Sequence, residues 1–183
     1  MNKLLTLKVS LVAAAVLVLP VAHAAAISKA DYKSGKTRIS ADYKADKAAC
    51  AALAGNTKDI CHQEAKAKEK VARAELEYDY TGKSSDRNKV LVAKAKSAYA
   101  VAREKCDDQA GNAKDVCVKE AKAVEVKALA DAKLGAKIGE ARKEAADDKR
   151  DADYKVAAEK CDAMAGDAKA SCIAAAKANF GQN

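Results

Sequence analysis

The stretch that decides the fold is Cys106-Asp107-Asp108-Gln109-Ala110-Gly111-Asn112-Ala113-Lys114-Asp115-Val116-Cys117, two cysteines bracketing a glycine. On one continuous helix these cysteines would stand about 16 Å apart along the axis, whereas a disulfide needs Cα atoms within about 7 Å. A straight helix therefore cannot join them. A chain that reverses at Gly111 brings them level, one on each arm of an αα-hairpin. The same frame runs from Cys50 through Ala54-Gly55-Asn56 to Cys61, and from Cys161 through Ala165-Gly166-Asp167 to Cys172. The expected turn residues are thus Gly55 and Asn56, Gly111 and Asn112, and Gly166 and Asp167. The glycines suit the left-handed position that ends a helix, and the Asn or Asp that follows suits the cap of the next. Asp59 and Asp115 add acidic charge three residues later, in an imperfect capping box.

The frame belongs to a longer repeat. Tyr43, Tyr99 and Tyr154 each precede the first cysteine of their unit by two helical turns, on the same helix face. Lys58, Lys114 and Lys169 each stand one turn before the second cysteine, and Ala-Lys-Ala follows at 65–67, 121–123 and 176–178. The units cover residues 43–67, 99–123 and 154–178. The tyrosines are expected to pack over the disulfides, with a ligand-binding stripe as the alternative.

Cysteine spacing also bears on chemistry. Structural zinc sites pair cysteines two to four residues apart and thiol exchange uses Cys-x-x-Cys, and neither pattern occurs. Six cysteines allow 15 pairings. Three identical local frames make Cys50–Cys61, Cys106–Cys117 and Cys161–Cys172 the simplest. The rival topology, with bonds between first and last cysteines of paired helices, needs unbroken helix where Gly and Asn stand. His62 follows Cys61 as in a haem-attachment motif, but Lys58 occupies the place of the earlier cysteine, so a lone exposed histidine is expected. No Gly-x-Ser-x-Gly or His-Glu-x-x-His motif is present, and carboxylates alternate with cations at helical spacing, as in Glu64/Lys68 and Glu69/Arg73. No enzyme, cofactor or metal is expected.

Residues 1–24 read as a signal peptide. Lys3 and Lys8 precede an apolar run at 11–21, and Ala22-His23-Ala24 makes a small-residue cleavage site. An uncleaved anchor is the alternative, but Pro20 interrupts a run already short for a membrane span. Cleavage leaves residues 25–183 as a single helical repeat region, expected in the periplasm with no stable membrane span. An exported chain keeps its disulfides. Losing Lys3 and Lys8 and no acid lowers the net charge from +8 to +6, so the chain stays basic. It also loses the only proline, which with abundant Ala, Lys and Glu argues for long helices. Large apolar side chains are sparse, so each helix contact buries little, and disulfides worth roughly 3 kcal/mol each on the chain-entropy model would make up the difference.

Connections follow from local breakers. Ser28 is placed to cap the first helix, whose first turns Gly35 weakens, so that fraying is expected there. Thr81-Gly82-Lys83-Ser84-Ser85-Asp86 separates two helices of about 24 residues, with Ser85 or Asp86 as the cap. Repeat symmetry asks for a similar break at Leu134-Gly135-Ala136-Lys137-Ile138-Gly139. No Ser, Asn or Pro supports it, so a turn and a bent continuous helix both stay open. Residues 140–153 form a charge run expected to be a solvated helix.

Through Cys106-Asp-Asp-Gln-Ala-Gly-Asn-Ala-Lys-Asp-Val-Cys-Val-Lys-Glu-Ala-Lys and its two relatives, the chain resembles small exported Ala/Lys-rich proteobacterial proteins, mostly uncharacterised and sometimes labelled TolA-like. The resemblance covers most of the region after the leader and assigns no catalytic or binding residue. The expected fold is all-α, with long antiparallel helices forming three disulfide-pinned hairpins, extended or bundle-like. The expected role is a structural or adaptor protein of the cell envelope, with a periplasmic chaperone as the second reading. The excess charge suits anionic envelope polymers or envelope proteins as partners, whereas 26 acidic residues and export away from the nucleoid argue against nucleic acid.

Overall fold

A computed structural model describes residues 26–182, so the leader expected at 1–24 lies outside the described residues. Among the described residues five helices follow one another: α1 (Lys29–Ala49), α2 (Gly55–Thr81), α3 (Ser84–Lys105), α4 (Gly111–Cys161) and α5 (Gly166–Phe180). No strand occurs among the described residues. Packing runs between helices that are successive in the chain, each antiparallel to the one before, so the fold is a serpentine and not a closed bundle.

α1 starts as its sequence asks. The Ser28 hydroxyl accepts from the backbone N–H of Asp31 at 3.1 Å, satisfying one of the orphan donors of the first turn. The same end is tied to the C-terminal end of α2. Tyr32 stacks on Tyr80 with ring centroids 4.4 Å apart, and its hydroxyl donates to Glu77. That hydrogen bond, with burial and the Glu77 charge, raises the Tyr32 phenol above its ordinary value. The backbone N–H of Ile27 donates to Asp79 O.

Gly35 sits within regular helix. It is buried, and a Cβ built there would lie 2.7 Å from Leu76 Cδ1, closer than side chains tolerate. The missing side chain is the slot into which Leu76 fits, and Ile39 is buried one turn further along α1. A glycine read as helix weakness is therefore a packing device.

α2 ends at Gly82, whose φ of 63° lets its N–H reach Tyr78 O. The expected cap of the next helix is corrected. α3 begins at Ser84 with Lys83 as the cap residue, so neither Ser85 nor Asp86 stands at that position. Asp86 is buried in the first turn instead, accepting from the Thr81 hydroxyl at 2.6 Å and from Lys89 Nζ at 2.7 Å. These two bonds, Lys89 first, hold its carboxyl below the usual carboxylate range.

The turn that repeat symmetry asks for at residues 134–139 does not form. α4 is one helix of 51 residues, about 76 Å long. Gly135 and Gly139 are both helical, with nothing within 4 Å of where a Cβ would be. Isolated glycines cost a helix about 1 kcal/mol each, which is not enough to break it without a competing side-chain cap. α3 accompanies the first part of α4 and α5 the last, and residues 140–146 are all exposed.

Candidate functional site

The three reversals are the one constellation that recurs. All three disulfides are made as expected, Cys50–Cys61, Cys106–Cys117 and Cys161–Cys172, with Cα atoms 5.7 Å apart in each. The first cysteine of every pair is fully buried. The clasp dictates the local backbone. To bring its partner within reach the chain must leave the helix at the first cysteine, so α1 closes in a tight turn at Cys50–Ala52 and α3 in one at Cys106–Asp108.

The position of the turn glycines is accordingly corrected. Gly55, Gly111 and Gly166 do have left-handed backbone, with φ of 54° to 56°, but each is the first residue of the following helix and not the terminator of the one before. An extended alanine, Ala54, Ala110 or Ala165, occupies the cap position, with no side-chain hydrogen bond. Asn56, Asn112 and Asp167 lie inside the first turn, so none of them caps, and no capping box forms with Asp59 or Asp115. Asn56 reaches across instead: its side-chain amide donates to Glu104 O at 3.1 Å, satisfying a carbonyl at the end of α3. The first two reversals are thereby joined side by side, an arrangement that Lys105–Glu64 (2.8 Å) reinforces.

An ion pair across the bend escaped the sequence reading. Lys114 meets Asp107 at 2.8 Å and Lys169 meets Asp162 at 2.9 Å, each lysine reaching from the second arm to the acid beside the first cysteine. The repeated lysine was visible, and the signal for its partner was the Cys-Asp dipeptide at 106–107 and 161–162. In the first unit Ala51 takes the acid's place.

Tyr43, Tyr99 and Tyr154 are all half-buried. The Lys47 ammonium lies 5.4 Å from the Tyr43 ring centroid, and the Lys122 ammonium 4.9 Å from that of Tyr99, so a cation covers one ring face in two of the units. Lys122 also donates to the buried Glu125 at 2.6 Å, and that bond raises the lysine above its ordinary value. His62 is half-buried, not exposed, and its Nδ1 is enclosed without a hydrogen-bond partner. It lines an open polar cleft of about 370 Å³ with Tyr43, Lys47, Asp59 and Glu104. Among the described residues, no three His, Cys, Asp or Glu side chains come together as a metal site, and no helix is long and apolar enough to cross a membrane.

What the arrangement offers is therefore covalent pinning and charged helical surface. Comparison of the chain with models of protein families, with curated proteins and with solved structures gives no match.

Proposed function

We propose that this chain is a non-enzymatic protein of the cell envelope, exported to the periplasm and serving there as a structural or adaptor element. The observation that carries the reading is the set of three separate disulfides, one at each tight reversal. Such bonds persist in oxidising compartments and supply stability to a fold whose core is small side chains. The resemblance to exported Ala/Lys-rich proteins points the same way. The working surface would be the basic, mostly exposed helical faces, which suit anionic wall polymers or lipopolysaccharide. Co-sedimentation of the purified, disulfide-bonded protein with peptidoglycan and with lipopolysaccharide across a salt series tests this. Binding at low ionic strength that declines as salt rises is expected. A protein that stays in the supernatant at low salt ends the proposal.

A second reading, a periplasmic chaperone, draws on one observation. Val124, Leu134, Ile138 and Val156 are exposed along one side of α4, a stripe able to hold unfolded client chains. Suppression of aggregation of an unfolding client would favour it, and failure to do so would remove it.

A further inference from the structure

α4 is built from two pieces that elsewhere in the chain face each other. Its first half repeats α2 at a distance of 56 residues, and its second half repeats α3 at a distance of 55. Where α2 and α3 pack, Glu64 pairs with Lys105 at 2.8 Å and Glu75 with Lys94 at 2.7 Å, flanking a groove lined by Ala67, Val71, Val101 and Ala102. The repeat equivalents of these four charged residues are Glu120, Lys160, Asp131 and Lys149, with charge kept at every position. Because α4 is one continuous helix, the two halves lie end to end and cannot meet within one chain. All four residues are exposed, and none has an ion-pair partner among the described residues.

We propose that this face of α4 binds a second copy of the chain, the two α4 helices lying antiparallel about a two-fold axis at Glu140. The register is inherited and not adjustable: eleven residues along α2 correspond to eleven back along α3, and Glu120 opposite Lys160 with Asp131 opposite Lys149 keeps that step. Positions not used to set it then agree with it. Val124 falls opposite Val156, two side chains that are 63% and 56% exposed in the single chain. Lys127 falls opposite Asp153, a third complementary pair. Nearest the axis on this face, Ile138 falls opposite Arg142 and the small residues Gly135 and Ala145 fall opposite each other. Nothing obstructs the approach. The buried residues of α4, Glu125, Ala132 and Cys161, mark the side taken by α3 and α5, and Glu120, Val124, Lys127 and Asp131 recur at four- and three-residue steps on the side turned away. A two-fold interface repeats every contact, so each charge pair counts twice. The dimer occupies the apolar stripe that the chaperone reading gives to clients, so dimerisation and client binding would compete.

The test is sedimentation equilibrium of the purified, disulfide-bonded protein, with carbodiimide cross-linking of a mixture of ¹⁴N- and ¹⁵N-labelled chains. A dimer is expected, with Glu120–Lys160 and Asp131–Lys149 links joining heavy to light chains. Reversing charge in Lys149→Glu/Lys160→Glu should weaken the dimer on the order of 100-fold while the helical circular dichroism stays unchanged, since several exposed pairs turn from attraction to repulsion. Mixing that variant with Glu120→Lys/Asp131→Lys should restore a heterodimer. A wild-type protein that remains monomeric at about 100 μM, links confined to chains of one isotope, or a charge reversal without effect on dimerisation would each overturn the proposal.

Discussion

Gly35 and Leu76 show how much a single absent side chain can decide. An alanine at 35 gains about 1 kcal/mol of helix propensity, but its Cβ would meet Leu76 Cδ1 at 2.7 Å, and overpacking costs about 1 to 3 kcal/mol. Gly35→Ala should therefore destabilise by about 1 kcal/mol in the native background and stabilise by about 1 kcal/mol once Leu76→Ala has removed the obstacle; additive effects in denaturant melts would contradict the contact. Ser97 presents the opposite case. Its hydroxyl is buried without a partner, while the equivalent positions of the other units, Ala41 and Ala152, carry none. Ser97→Ala should raise stability by about 1 kcal/mol, readable as a shift of the urea midpoint. Asp86 sets a pH dependence. Its carboxyl is held low in the fold by Lys89 and Thr81, so on acidification the unfolded chain takes up the proton first, and the stabilisation present above about pH 4 is lost as pH falls through the lower folded value. The difference in melting temperature between the native protein and Asp86→Asn should shrink from pH 6 to pH 2. A difference that stays constant would mean the carboxylate contributes nothing.

At the scale of the helix, the reversals were legible because the argument needed only lengths: the rise of a helix against the reach of a disulfide. The cap assignments were not, because Gly-Asn reads equally well as a stop followed by a cap or as the first turn of the next helix, and what chooses is the cysteine five residues earlier. The break at 134–139 was equally undecidable locally. Repeat symmetry favoured it, yet Gly135 and Gly139 lack the capping side chains that would make a break compete with continued helix. The clasps differ in what else holds each helix. α1 is held to α2 by the Tyr32–Tyr80 stack and the Leu76 slot as well as by its disulfide. α5 has 15 residues, packs on α4 alone and is anchored otherwise by Lys169 to Asp162 and by Gln182 to Asp151. An isolated helix of that length is marginal in water. Replacing Cys161 and Cys172 with serine should therefore melt α5 locally, with amide exchange rising throughout 166–180, whereas Cys50→Ser/Cys61→Ser should lower global stability by about 3 kcal/mol while α1 stays protected. Equal loss of protection in both variants would refute the ranking.

On the scale of the molecule, two clasps lie side by side at one end of the serpentine and the third stands at the far end of α4, roughly 66 Å from the second along the helix axis. Paired helices therefore flank a single exposed length of α4 that joins them. This separation followed from only one of the two readings left open at 134–139, because the repeat itself is uniform in sequence. The clasps also decide what a protease can release. The exposed bends, such as Leu53-Ala54 and Gln109-Ala110, are where nicking concentrates, and each lies inside a cysteine loop, so a cut there leaves both fragments covalently attached. The connection at Gly82 and the bare length of α4 have no such insurance. Limited digestion should accordingly yield products that run as an intact chain on a non-reducing gel after bend cleavage and fall apart only when thiol is added, whereas scission in α4 liberates the last hairpin outright.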